Sequence, residues 1–161
     1  MNHDLLREML IRHEGWKKKP YPCTAGKMTI GVGWNMDDVP LPPDVASYLR
    51  MNGSITDAMV ARLLVISTDT AERQARAIFQ DFPKFSERRQ AALADMIFNL
   101  GSTRFLKFKK TITAVKCGDW EEAARQINDS AYWRELGGDP AGTDDGKLER
   151  PEEIAAMVRQ G

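Results

Sequence analysis

Three residues in the first thirty carry side chains that hydrolytic chemistry uses. Glu14 is an acid, Cys23 a thiol nine residues later, and Thr29 a hydroxyl six further on. All lie within residues 13–34, HEGWKKKPYPCTAGKMTIGVGW. An acid, a second ionisable group and a hydroxyl suit cleavage of a glycosidic bond. One group protonates the leaving oxygen while another activates water or attacks the anomeric carbon. Burial is the usual way to keep a carboxyl protonated for the first task near neutral pH. A thiol serves the second task only as thiolate, and at a free pKa of about 8.5 little of it is ionised unless cations lie near. Lys17, Lys18, Lys19 and Lys27 are close enough in sequence to supply them. The competing readings are an inert turn residue for Cys23 and a β-branched strand former for Thr29.

The elements that must position these groups are legible. Leu5, Leu6, Met9 and Leu10 recur at helical spacing, with Asp4 as the expected cap and Gly15 as the stop. Pro20 and Pro22 forbid a helix next. Short extended pieces broken by Ala25-Gly26, Gly31 and Gly33 predict a small antiparallel sheet between Trp16 and Trp34, with 29–33 as a tight strand. Residues 37–43 read as a loop and 44–51 as a short helix closed by Asn52-Gly53. A long helix of about 24 residues, roughly 36 Å, is expected from Thr56 to Phe79, with Met59, Leu63, Ile66, Thr70 and Ala77 along one side and Pro83 ending it. A buried central helix follows from Ser86 to Gly101, then helices near 107–116 and 119–128, the second capped by Asp119. Residues 137–146 read as a polar loop and 151–158 as a last helix with Pro at its first turn. Helix, small sheet, then many helices gives an α+β class, mainly α, with segregated lobes.

Composition narrows the partners. Lys+Arg and Asp+Glu both count 23, so net charge draws the chain to neither nucleic acid nor membrane. The basic clusters at 17–19 and 107–110 read as solvated faces or as surfaces for an anionic polymer. Two cysteines, Cys23 and Cys117, are too few for a disulfide scaffold and predict free thiols. His3 and His13 are the only histidines and do not cluster with the thiols as a zinc set would, so no metal or other cofactor is expected. The opening MNHDLLREMLIRHEG is charged throughout and lacks the apolar core of a signal peptide.

Taken together, these motifs resemble a known family. Glu14, Cys23 and Thr29 match, without a gap, the pattern Glu, eight residues, Asp or Cys, five residues, Thr. Tyr21, Thr24, Gly26 and Thr29-Ile30-Gly31-Val32-Gly33 belong to the same block. Arg88-Arg89 through Ala91-Ala92-Leu93, Met96 and Phe98 to Gly101 form a second block, and Gly118-Asp119-Trp120-Glu121-Glu122-Ala123-Ala124 a third. The chain resembles the phage-type lysozymes, glycoside hydrolase family 24. The resemblance implies a single lysozyme domain over 1–161: an N-terminal lobe at about 14–55, a connecting helix at about 56–79, and a C-terminal lobe at about 80–161 that includes helix 4–13. The lobes are expected to hinge about the long helix.

The same resemblance implies cleavage of peptidoglycan between N-acetylmuramic acid and N-acetylglucosamine. Glu14 inherits the general-acid role and Thr29 the positioning of water, while Cys23 stands where many members have Asp. Asn35, Phe98, Thr111 and Gln126 inherit sugar-binding positions, only Phe98 matching in residue type. Trp34 follows Val32-Gly33 where the family often has His, and its indole suits sugar stacking or the core. The expected partner is the peptidoglycan glycan strand, met by a monomer. The enzyme would stay in the host cytoplasm until a holin-type pore gave access to the wall. Cys23 is left open as a base with inversion, a nucleophile with retention, or a relic in a weak enzyme. Two alternatives to an endolysin stand: a lytic transglycosylase, which needs one acid and leaves anhydro ends, and a peptidoglycan-binding protein without catalysis.

Overall fold

The computed structural model describes residues 1–23, 26–129 and 150–161. Thr24 and the polar segment 137–146 therefore lie outside the described residues. In chain order the described elements are α1 (His3–Glu14), β1 (Lys17–Pro22), β2 (Met28–Gly31), β3 (Trp34–Asn35), α2 (Pro43–Asn52), α3 (Asp57–Ile78), α4 (Glu87–Leu100), α5 (Ser102–Phe105), α6 (Lys109–Cys117), α7 (Trp120–Asn128) and α8 (Arg150–Gln160). The class is α+β and mainly helical, as the alternation of patterns predicts. The chain divides into two compact units. One joins Met1–Leu6 to Ala71–Gly161; the other is Arg7–Thr70. No described helix is long and apolar enough to cross a membrane.

The Arg7–Thr70 unit holds the sheet. Its strand order is β1-β2-β3, antiparallel throughout. Only Met28 to Gly31 of the expected strand 29–33 is β2. Val32-Gly33 turns the chain, with Gly31 and Gly33 at φ 69° and 67°, values that glycine adopts without steric cost. The Gly31 face lies over Leu63 and Val60, where an added Cβ would come 3.7 and 3.8 Å from their side chains. Ile30, Val32, Val45, Ile55 and Val60 are all at most 3% exposed, each burial contributing about 1.5–3 kcal/mol.

Helix ends follow local chemistry, with two corrections. Asn2, not Asp4, caps α1: the Leu5 N–H donates to Asn2 Oδ1 at 3.1 Å. Asp4 sits one turn-position later, where its charge suits the positive end of the helix dipole. Gly15 ends α1 at φ 76°, as expected. Thr56 caps α3 through the Met59 N–H, but α3 stops at Ile78, well before Pro83. The Phe82 N–H already bonds the Phe79 carbonyl, so the chain tightens into a 3-10 turn, Phe82–Lys84, that contains the proline. The buried side of α3 is Val60, Leu64, Thr68, Ala71 and Ala75 rather than the expected stripe, of which only Leu63 is buried.

The other unit is built around α4. Ser86 caps it by accepting the Arg89 N–H, Gly101 closes it, and every residue from Gln90 to Ile97 is buried. The short helix α5 was not anticipated, and α6 starts at Lys109 rather than 107. Four residues show no periodicity; α5 is held by Phe105, fully buried and edge-on to Phe79. Asp119 caps α7 as predicted, accepting the Glu122 N–H. Polar ties hold α8 to α4. Arg150 Nε donates to the fully buried Asp95 at 2.8 Å. Arg89 donates to the carbonyls of Val158 and Arg159 while its guanidinium lies 4.1 Å over the Trp120 ring.

Candidate active site

Glu14 is the last residue of α1 and is half-buried. Cys23 follows β1 directly. Its N–H donates to the Lys27 carbonyl at 2.9 Å, and its own carbonyl accepts from Gly26 N–H at 2.8 Å. That pairing continues the β1–β2 ladder, in which Tyr21 faces Thr29 and Pro22 faces Met28. The next ladder sets Thr29 opposite Asn35. Directly opposed residues share a face of the sheet, and so do residues two apart on one strand. Cys23, Tyr21, Thr29 and Asn35 therefore project to one side. The pairing slips between Lys17 and Tyr21, an irregularity that re-aims the residues after it.

Electrostatics brings Glu14 to the same place. The Tyr21 phenol is pushed above its ordinary value, chiefly by burial, then by the negative charge of Glu14 and then by that of Cys23. One hydroxyl thus feels both ionisable groups, the first arriving from the end of a helix and the second from a hairpin turn. Sequence reasoning took Tyr21 only as part of a motif; the signal for its place was the two-residue spacing to Cys23.

The remaining predicted residues differ in availability. Thr29 is buried, and its hydroxyl donates to the Lys27 carbonyl at 3.3 Å. Its oxygen keeps lone pairs that can accept. Asn35 is occupied: its Oδ1 accepts the N–H groups of Asp37 and Asp38, and its Nδ2 donates to Asp38. Asp37 accepts the Met28 N–H, which ties this loop to the start of β2. Two of the four lysines expected to support a thiolate have carboxylate partners. Lys27 binds Asp38 at 2.6 Å, and Lys18 binds Asp57, whose carboxyl is held below the usual range first by the Trp16 indole N–H and then by Lys18. Trp34 resolves toward the core, 7% exposed with its N–H given to the Val39 carbonyl. Neither Cys23 nor Cys117 forms a disulfide.

The sequence pattern of the phage lysozyme family matches residues 11–146, most of the chain and the whole of the Glu14–Thr29 block. The chain belongs to the phage lysozyme family. It is 30% identical over 147 residues to the pre-baseplate central spike protein of Enterobacteria phage T4, covering 83% of this chain but 26% of the spike protein. It is 24% and 23% identical over 143 residues to two Dictyostelium discoideum proteins named "Probable T4-type lysozyme 2" and "Probable T4-type lysozyme 1", covering 79% of this chain and 84% of each. In this phage lysozyme family member, Phe98, Thr111 and Gln126 belong to the unit built around α4. Phe98 is half-buried next to the fully buried Ile97, Thr111 is buried, and Gln126 gives its amide to Glu122.

Proposed function

We propose that this chain is a muramidase that hydrolyses the β-1,4 bond between N-acetylmuramic acid and N-acetylglucosamine in peptidoglycan. The observation that carries the reading is the hairpin register that sets Cys23 and Thr29 on one face of the sheet, inside a block that matches the phage lysozyme pattern, with Glu14 acting electrostatically on Tyr21 of the same face. Glu14 gives its proton to the glycosidic oxygen as the bond to the anomeric carbon breaks. The Thr29 hydroxyl, hydrogen-bonded to the Lys27 carbonyl, accepts a hydrogen bond from a water and turns that water's lone pair toward the anomeric carbon. The Cys23 thiolate takes the water's other proton, which inverts the centre. Direct attack by the thiolate would instead give a thioglycosyl intermediate, later hydrolysed with net retention. Of the proposed glycan contacts Asn35, Phe98 and Gln126 are half-buried and Thr111 is buried; Asn35 acts by holding the 35–38 loop.

The biological setting in this reading is host lysis at the end of a phage cycle, by a monomer that reaches the wall through a holin-type pore. The likeness to a central spike protein supports a second setting, a place in a phage spike assembly. Immunodetection in purified particles separates the two.

Mass spectrometry of purified peptidoglycan after incubation with wild type, Glu14→Gln and Cys23→Ala tests the chemistry. Reducing muramic ends from wild type, absent with both variants, are expected. Anhydro ends that survive loss of Cys23 would make it a transglycosylase, and binding without products would make it a wall-binding protein.

A further inference from the structure

We propose that the corner between α5 and α6 docks on the surface of an anionic lipid bilayer, Leu106 entering the headgroup region while Lys107, Lys109 and Lys110 pair with lipid phosphates. The inference rests on the muramidase reading for its purpose, since a wall enzyme made in the cytoplasm must meet the membrane, but not for its geometry. The balanced charge of the chain conceals a segregation. No acid lies between Asp95 and Asp119, yet Arg104, Lys107, Lys109, Lys110 and Lys116 all do. All five of these cations are exposed. The exposed residues of α6 are Lys109, Lys110, Thr113, Lys116 and Cys117. Steps of four and then three residues set Lys109, Thr113 and Lys116 along one side of the helix, so its solvent face is cationic from end to end.

Leu106 stands outside by construction. It is 52% exposed, in a turn pinned by backbone bonds. Its N–H donates to the Ser102 carbonyl at 2.9 Å, that of Lys107 to Arg104 at 3.0 Å, and that of Phe108 to Phe105 at 2.9 Å. The rings on either side turn inward: Phe105 is fully buried and Phe108 stacks on it at 6.4 Å. An exposed leucine among lysines adds nothing to the grip on a hydrophilic polyanion. At a lipid interface it is buried, while the lysines beside it meet the anionic headgroups. With Phe108 stacked internally, the corner offers no free ring for the bases of a single-stranded nucleic acid. The acids near this face are engaged. Lys110 acts on Glu122, but that carboxylate is held chiefly by Arg125 and then by Gln126. Asp119 caps α7, and Asp81, which borders the same groove as Lys116, pairs with Lys84. Arg104 has interactions of its own, and the docking does not depend on it.

The test is sedimentation of the whole chain with vesicles of phosphatidylcholine, with and without phosphatidylglycerol. Binding is expected only where phosphatidylglycerol is present, and it should weaken as salt is added. A basic residue near an anionic surface contributes about 1 kcal/mol, about fivefold in affinity. Lys107→Gln, Lys109→Gln and Lys110→Gln combined should therefore weaken binding about a hundredfold. Leu106→Ser should weaken it with the salt dependence kept, and circular dichroism checks that each variant is folded. A wild type that ignores the anionic vesicles, or a folded triple variant or Leu106→Ser that binds them as tightly as wild type, overturns the proposal. Tighter binding to duplex DNA than to the vesicles at equal salt also overturns it. The triple variant is expected to digest detached peptidoglycan as wild type does. Loss of digestion together with vesicle binding would assign the lysines to substrate and overturn the docking. A wild type that binds the vesicles but makes no products from peptidoglycan upholds the docking and overturns the muramidase reading instead.

Discussion

Replacing Asp95 by Asn tests whether the junction of α4 and α8 rests on charge. The Asp95 side chain is fully buried and that of Arg150 is 11% exposed, with Arg150 Nε 2.8 Å from Asp95 Oδ1. Asn keeps the volume and one acceptor oxygen but removes the negative charge that faces Arg150 Nε. Breaking a buried pair from one side costs about 3–5 kcal/mol. Because Asn still accepts a hydrogen bond, the lower end, about 3 kcal/mol, is expected. An unfolding entropy of about 2.1 cal/mol/K per residue amounts to about 0.34 kcal/mol/K for 161 residues. The loss then corresponds to a fall in Tm of about 9 °C, read by thermal circular dichroism. Asp95→Leu combined with Arg150→Met should recover most of it, since replacing both charges by apolar groups removes the desolvation cost as well. A fall below about 3 °C for the single variant, or a double variant no more stable than the single, would refute the reasoning.

Two further predictions concern acid and sulfur. Burial is the largest single influence on Glu72 and pushes its carboxyl up, but Arg76, His3 and the N-terminal ammonium together outweigh it and hold the carboxyl below its usual range. Its stabilising contribution is therefore present above the unfolded value of about 4.3 and lost as pH falls through the lower folded value. The stability gap between wild type and Glu72→Gln, from urea unfolding, is expected to narrow below about pH 4.3; widening on acidification would reject the linkage. Cys23→Asp should retain peptidoglycan digestion within about tenfold (~1.4 kcal/mol in the barrier) and lose its sensitivity to iodoacetamide. An Asp variant as inactive as Cys23→Ala would rule out a base at this position.

Much of the fold was legible because it is set by local chemistry. Ser86, Asp119 and Gly53 act within one turn of themselves, and their roles follow from residue type alone. The failures share a different origin. The buried side of α3 includes Thr68, Ala71 and Ala75, small or polar residues that burial selects for fit rather than for hydrophobicity. Asn2 and Asp4 are both good capping types two residues apart, and only the observed start of α1 decides between them. At the site, the spacing of Glu14, Cys23 and Thr29 was plain, yet the partners of Lys18, Lys27 and Asn35 were not. Those depend on where separate turns bring Asp57 and Asp38, a tertiary outcome that no local pattern encodes.

The division of the chain has a bearing on the order of its assembly. The unit that carries Glu14, Cys23 and Thr29 is one continuous stretch, Arg7–Thr70, whereas its companion recruits Met1–Leu6 from the far side of that stretch. The hexapeptide is packed into its unit: Leu6 is fully buried, His3 binds Glu72, and Asn2 binds Glu87. At about 5–20 residues per second, a ribosome makes it roughly 3–13 s before Ala71 exists. The hairpin can therefore mature on the nascent chain while the first six residues wait. Joining them to α4 then means closing a long loop, whose entropic cost rises only with the logarithm of its length. If the intervening unit has already collapsed, its two ends are brought nearer and that cost shrinks, so early folding of the small unit prepares the closure of the large one.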